Sequence, residues 1–263
     1  MAQTIGTKVE APNQIIVKLN GMDYQFSRTI QGLSMPSGVN PEDYAMIHSI
    51  KIENGIAAYN SDSAISMTQR FNGLKYNSAN IEALKSGLTV PTPAKFMPHL
   101  RNVNDALKGK GVLYDASGNL IDGERLKKYA NALNYNHWMW LNAGFEEGKG
   151  FLGLDLVTIN GLDDKENLIK SSSPLEDCLE ENCWAELDSL NSQGFPTIKA
   201  SIDKYEPGKT FYFWTPRKNL VARSGACSNR LSLSCSRDPS DRYPSLGGLP
   251  VFNSGSLARL TAE

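Results

Sequence analysis

Apolar and polar positions alternate through QIIVKLNG and MDYQFSRT, and these runs flank Asn20-Gly21, a dipeptide suited to the two left-handed residues of a tight hairpin turn. The chain therefore opens on a hairpin. Ser34–Pro41, with Pro36, Gly38 and Pro41, reads as a loop, and HSIKIENGIAAYN supplies a second strand pair about Asn54-Gly55. A polar stretch rich in Asn and Ser through Ser86 reads as loop and short helix. From Thr92 the period lengthens: Phe96, Leu100, Val103 and Leu107 recur at helical spacing, Pro93 and Pro98 signal entry, and Gly109 and Gly111 end the helix. VLYDASGNLIDG reads as two short strands about Ser117-Gly118-Asn119. A second amphipathic helix is expected through Leu126, Tyr129, Ala130, Leu133, His137, Trp140 and Leu141, which makes His137 a core or boundary histidine.

Beyond it, FLGLDLVTI predicts a buried strand, and SPLEDCLEENCWAELDSL a third helix capped by Ser172 or Ser173. TFYFWTP predicts an apolar strand ending at Pro216. In Leu231-Ser232-Leu233-Ser234-Cys235-Ser236 the alternation is complete, so Leu231, Leu233 and Cys235 are expected inward and Ser232, Ser234 and Ser236 toward solvent. Strands, two helices, a third helix and a strand-rich C-terminal region make an α+β layout, without βαβ alternation. No internal repeat, heptad or long low-complexity linker interrupts it.

Composition adds limits. A chain of 263 residues, 40% hydrophobic and 9% aromatic, has the material for a full-sized core in one large domain or two small ones. A net charge of −1 offers no general electrostatic footprint for nucleic acid or an anionic membrane. No apolar run approaches the roughly 20 residues of a membrane-spanning helix, and MAQTIGTKVEAPNQ lacks the basic start and apolar centre of a secretory signal. A soluble chain is the expectation. One segment departs from the rest: Val221–Leu260 contains no Lys, Glu, Gln, Met or Trp, although the preceding residues use all five.

The inventory for catalysis is thin. The histidines His48, His99 and His137 stand near no motif of known mechanical meaning, and HExxH, GxSxG, GxxxxGK[ST] and CxxC are absent. Gly150-Phe151-Leu152-Gly153 precedes a strand, where a dinucleotide fingerprint must follow one. Asp115, Asn119, Asp122 and Glu124 could offer oxygen ligands to a hard cation, but a hairpin turn explains the same residues without metal. Glu146-Glu147 and Glu180-Glu181 read as solvated faces. Cys178 and Cys183 read as buried small hydrophobes, while Cys227 and Cys235 would lie ~26 Å apart on one continuous strand, too far for a disulfide unless a turn near Ser228–Arg230 brings them closer. Arg223 and Arg230 could stabilise a thiolate there, although inward parity argues for inert burial of Cys235 and exposure of Cys227. No catalytic residue, metal or cofactor is assigned.

The string WTPRKNLVARSGACSNRLSLSCSRDPSDRYPSLGG resembles the C-terminal variable region of target proteins of diversity-generating retroelements, the archaeal members above all. The frame is Trp214-x-Pro216-Arg217-Lys218, Val221-Ala222-Arg223, Leu231, Leu233-x-Cys235, Pro239-Ser240 and Ser245-Leu246-Gly247. In such systems template adenines are miscopied, chiefly in AAY codons, and an AAY codon changed at adenine cannot encode Lys, Glu, Gln, Met or Trp. That is the gap seen in Val221–Leu260. The likeness is most specific over Trp214–Gly248, looser in HWMWLNAGF and WAELDSLNSQGFPT, and absent from residues 1–60; Gly248-Leu249 stands where such sequences often continue with Val-Arg.

The resemblance implies a C-type lectin-like fold over residues 61–263 with a variable region at about 221–247, and the strand-rich segment 1–60 is expected to pack on that domain. It implies a ligand-binding protein and no enzyme, with the binding surface on Ser224, Cys227, Asn229, Arg230, Ser232, Ser234, Ser236, Arg237, Asp241, Arg242 and Tyr243. Tyr and Arg would anchor an interface, and Ser and Asn would supply adaptable hydrogen bonds. The expected partner is a protein or surface ligand, with no nucleic acid, no membrane insertion and a monomeric chain, and a receptor-like role implies display on a cell or virus surface. The Trp-Asn-Asp and Glu-Pro-Asn calcium signatures of sugar-binding lectins are missing. Two alternatives stand beside it: an oxidase of the formylglycine-generating type, which uses a cysteine pair on the same broad fold, and a viral structural or receptor-binding protein.

Overall fold

Asn20 and Gly21 both take positive φ, 50° and 81°. β1 (Gln14–Leu19) accordingly turns back on β2 (Met22–Ser27) in antiparallel register, Leu19 opposite Met22. The computed structural model describes residues 13–53, 56–135, 137–227 and 229–254. β3 (Tyr44–Glu53) and β4 (Ile56–Ser66) form the second antiparallel pair; the expected turn at Asn54-Gly55 lies outside the described residues. Three helices follow, α1 (Tyr76–Lys85), α2 (Pro93–Leu107) and α3 (Gly123–Tyr135). The remaining strands are β5 (His137–Glu147), β6 (Leu154–Leu162), β7 (Leu168–Pro174), β8 (Cys183–Glu186), β9 (Thr210–Trp214), β10 (Val221–Cys227), β11 (Arg230–Arg237), β12 (Leu246–Gly247) and β13 (Val251–Asn253). The fold is α+β, with three helices and mostly antiparallel sheets. No helix among the described residues is long and apolar enough to cross a membrane.

The chain divides into two compact units, both discontinuous in sequence. Among the described residues, the first comprises 13–53, 56–67, 102–130 and 252–254. Its core gathers Ile15, Val17, Tyr24, Phe26, Met46, Val112 and Tyr114. The Ser117-Gly118-Asn119 turn forms as expected: Gly118 N–H donates to the Asp115 carbonyl at 2.9 Å, and Asp115 N–H to the Asn119 carbonyl at 2.8 Å. The second unit comprises residues 68–101 and 131–251. Its eight-stranded sheet runs β7-β6-β5-β10-β11-β9-β8, with β12 paired to β5. All pairings are antiparallel except β11 with β9 and β12 with β5. α1 closes one side of this unit, where Tyr76, Ala79 and Ala83 join Trp140, Ile159, Val221 and Leu246 in one apolar cluster.

Two helix expectations are corrected. The helix expected to continue through His137, Trp140 and Leu141 ends at Tyr135, and HWMWLNAGFEE is the strand β5. Met139, Trp140, Leu141, Ala143 and Phe145 are all buried in it, so both faces of the strand are covered. A strand covered on both faces shows a continuous apolar run, which also fits a helical template. The third helix does not form. Ser172 and Ser173 belong to β7, and CWAE is β8, with Cys183 and Ala185 buried and Trp184 on the alternate face. FLGLDLVTI is a strand from Leu154 onward, preceded by a 3-10 turn at Phe151–Gly153.

Candidate functional site

The centre of the second unit's sheet is set by strand register, since residues directly opposite across a strand pair project to the same face. Arg223 of β10 stands opposite Trp140 of β5 and Ser234 of β11, and Ser234 stands opposite Trp214 of β9. Gly225 stands opposite Trp138 and Ser232, Ser232 opposite Tyr212, and Tyr212 opposite Trp184 of β8. One face of the sheet thus carries two cross-strand rows, Trp140-Arg223-Ser234-Trp214 and Trp138-Gly225-Ser232-Tyr212-Trp184. The opposite face carries Ser224, Ala226, Leu231, Leu233 and Cys235, with Phe211 and Phe213 beside them, and it is core.

The first face is floored by aromatic rings. Trp184 and Tyr212 meet edge to face with centroids 5.4 Å apart, and Tyr212 and Trp214 do so at 5.2 Å. A Cβ at Gly225 would fall 2.5 Å from the Trp138 ring carbons, so the indole seats on a position that only glycine leaves open. Above that indole, the Arg223 guanidinium lies 4.8 Å from the ring centroid. Arg223 is only 6% exposed, yet its guanidinium makes no hydrogen bond and no ion pair among the described residues. Burial and the nearby Arg237 charge pull it down to about 10. The Trp214 indole nitrogen is buried without an acceptor. Arg237 donates through Nε to Ser234 Oγ at 3.1 Å, and Ser232 Oγ donates to the Gly225 carbonyl at 3.2 Å.

Compared with protein-family models, with curated proteins and with solved structures, the chain finds no match.

Against the expected binding residues, three positions are corrected. Ser224 is fully buried on the core face, where its hydroxyl meets His137 Nε2 at 2.9 Å, and it is out of reach of any ligand. The reason is parity: Ser224 pairs with Leu233, so it points the way Leu233 points. Ser232 and Ser234 do face away from Leu231, Leu233 and Cys235, as the alternation predicts, but they are 6% and 2% exposed and do not meet open solvent. β11 lies inside the sheet, flanked by β10 and β9. Asn229 and Arg230 are exposed at the hairpin end, Cys227 is half-buried beside them, and Ser236, Arg237 and Asp241 are half-buried. Arg242 is exposed and donates through Nε to the Gly73 carbonyl at 3.0 Å, and Tyr243 is 48% exposed.

Sequence reasoning missed Trp138, Trp184, Tyr212 and Trp214 and left Arg223 in the frame. A signal was present in TFYFW: Phe211 and Phe213 take the core parity, which leaves Tyr212 and Trp214, the two rings with a polar handle, on the other. The cysteines give no redox pair. Cys227 and Cys235 are on opposite faces of the hairpin by parity, and all four cysteines are free. Burial pushes the Cys235 thiol well above its ordinary value and the Cys178 thiol up to about 12.

The acidic loop is occupied internally. Asp115 accepts from Asn119 N–H at 2.9 Å and from Arg125 Nη1 at 2.7 Å, and Arg125 also donates to the Glu42 carbonyl. Asp122 pairs with Arg28 at 3.0 Å and Glu124 with Lys127 at 2.7 Å. Glu146 and Glu147 pair with Lys170 and Lys218, and Glu181 with Lys199.

Proposed function

We propose that this chain is a ligand-binding protein whose binding face is the aromatic and arginine-bearing side of strands β5, β10, β11, β9 and β8, extended by the hairpin end and by Asp241–Tyr243. The observation that carries this reading is the pair of buried donors without acceptors, Arg223 and the Trp214 indole, on a face that also carries Trp138, Trp184 and Tyr212. Buried polar groups are rarely left unmatched in folded proteins, and a bound ligand would match these two. Trp, Tyr and Arg are also the side chains that dominate binding energy in protein interfaces.

On this reading the fold is C-type lectin-like and the face is diversified by retroelement-directed adenine mutagenesis, in keeping with the missing Lys, Glu, Gln, Met and Trp of Val221–Leu260. The replaceable side chains would be Asn229, Arg230, Ser232, Ser234, Ser236, Arg237, Asp241, Arg242 and Tyr243, together with Cys227. They sit around a fixed floor of Trp138, Trp184, Tyr212 and Trp214, and the core parity of Leu231, Leu233 and Cys235 holds the backbone while they change. The binding role would be receptor-like, with no chemistry of its own.

The test is to sequence many copies of the gene from its source population. Substitutions concentrated at those positions, with Trp214, Leu231, Leu233 and Cys235 constant, are the expected result. Substitutions spread evenly along residues 61–263 would overturn it.

A further inference from the structure

Strand β1 has one edge in use and one edge free. The register of the hairpin fixes which groups serve which edge. Leu19 faces Met22 across the two-residue turn, and Arg28 N–H donates to the Asn13 carbonyl at 2.8 Å, so the odd-numbered residues of β1 bond to β2. The N–H and C=O groups of Gln14, Ile16 and Lys18 therefore point the other way, and among the described residues none of them has a partner. They repeat at every second residue, ~6.6 Å apart. Folds guard such an edge with charge, proline or a covering segment, because any extended chain that reaches it can pair with it. Lys18 is the one charged side chain on β1, and Asp23 lies 3.8 Å from it.

The free edge opens on space. A cleft of about 980 Å³, contained within the first unit, is lined by Ile15, Ile16, Val17 and Lys18 in succession. A strand shows alternate residues to a cavity when one of its faces lines it, and consecutive residues when its edge does, so the unpaired backbone groups border the cleft. Leu107, 42% exposed, and the buried Val112 and Leu126 add apolar lining. The charged lining is unbalanced: Lys18, Arg28, Lys108 and Lys127 stand against Asp23 and Asp122.

We propose that β1 takes up an extended segment of a partner protein as an added strand. The segment's backbone bonds to the free groups of Gln14, Ile16 and Lys18, its apolar side chains enter the cleft at alternate positions, and acidic residues flank them. The ladder argues for a peptide, since a small amphiphile has no row of donors and acceptors at strand spacing. Charge argues against a second copy of this chain. Pairing β1 with itself about Ile16 would bring together two clefts, each lined by four cations and two carboxylates. An acidic segment meets the same excess with the opposite sign. The site does not involve the aromatic face and does not rest on the function proposed above.

The experiment titrates the full chain with the blocked heptapeptide acetyl-Glu-Val-Thr-Val-Thr-Val-Glu-amide and follows hydrogen exchange at the backbone amides of Ile16 and Lys18. Binding is expected to protect both and to leave Val17, already bonded to β2, unchanged. N-methylation of the peptide at its valines, or at its threonines and final glutamate, strips the donors from one edge or the other. One of these two versions is expected to bind ~10-fold or more weakly. Lysine in place of both glutamates is expected to weaken binding ~3–10-fold. Ile16→Pro removes one outward N–H and keeps the ladder to β2, and should weaken binding ~2–10-fold with unchanged near-ultraviolet dichroism. The peptide series needs no variant, so it decides the question even if Ile16→Pro fails to fold. No binding, or equal binding by both methylated versions, overturns the proposal. Protection of Ile16 and Lys18 in the free chain, as monomer or dimer, also overturns it, because the edge would then already be paired. Equal binding by the lysine-ended peptide overturns the acidic flanks, and tighter binding of dodecanoate than of the heptapeptide gives the cleft to an amphiphile. A failed strand site leaves the aromatic face standing, and a uniform gene leaves the peptide result readable.

Discussion

The two faces of the β10–β11 hairpin hide their side chains almost equally well, yet they differ in what the hidden polar groups do. On the core side Ser224 is fully buried and its hydroxyl is matched with His137 Nε2, among Ala226, Leu231, Leu233 and Cys235. On the other side Arg223 and the Trp214 indole are buried and matched with nothing. Burial alone therefore does not identify a core. In folded proteins the buried polar groups of an interior are nearly all satisfied, and on the reading proposed above a ligand matches these two.

The sharpest way to break this comparison is to cut into both faces and compare costs. Leu233→Ala should lose ~2–5 kcal/mol, the range for a fully buried leucine whose surroundings collapse only in part. Arg223→Met, directly across the strand pair from Ser234, should be neutral or stabilising, because it replaces an unpaired buried charge with an apolar chain of similar length. Urea denaturation of both variants measures the difference. Equal losses at the two positions would mean that both faces are core.

A second, somewhat smaller effect concerns pH. Burial holds His137 down to about 4, against the upward pull of the Ala132 and Leu133 backbone, and burial does the same to His48, stacked on Tyr59 with centroids 4.4 Å apart. Both are neutral in the folded chain above that value, while the unfolded chain protonates them near 6.5. Their contribution is therefore fully present above pH 6.5 and is lost as pH falls from 6.5 toward 4, by up to ~3 kcal/mol for each histidine. Denaturation midpoints at pH 7 and pH 4.5 check this, and His137→Gln should flatten the slope in part. A midpoint that rises on acidification would contradict the core side of the comparison.

How much of this was legible in the sequence depends on what a local pattern encodes. The Asn20-Gly21 hairpin and the inward parity of Leu231, Leu233 and Cys235 came through because they follow from backbone preference and a period of two. His137–Leu141 read as helix because the strand is covered on both faces and its alternation vanished. Cys183–Glu186 read as helix because the charged residues before it supplied a false amphipathic period, while the partner that makes it a strand, Thr210–Trp214, lies far along the chain. The same reason hid the site. Trp138, Arg223, Ser234 and Trp214 belong to four separate strands, and only the pairing β5-β10-β11-β9 brings them into adjacent rows. Ser224 was expected on the binding surface from the resemblance and not from strand parity, and its pairing with Leu233 puts it on the core face.

The smallest expected effect separates the two serine environments. Ser224→Ala removes the hydroxyl that meets His137 Nε2, and the contact of Nδ1 with the Ala132 carbonyl at 3.4 Å assigns the proton to Nδ1. Nε2 is then a buried acceptor without a donor, which costs ~1–3 kcal/mol. Ser232→Ala removes a donor to the Gly225 carbonyl, which is also the backbone of a strand paired on both sides, so its oxygen is not stranded, and the loss should stay within ~0.5 kcal/mol. A position that tolerates exchange of its side chain at so little cost is what a replaceable binding residue requires, and one that does not is what a framework residue requires. Ser232→Asn and Ser232→Tyr extend the test, since a face open to a ligand accepts added volume and a packed interior does not. If either variant lowers the urea midpoint as far as Ser224→Ala does, Ser232 belongs with the framework and the line between the two faces must be drawn elsewhere.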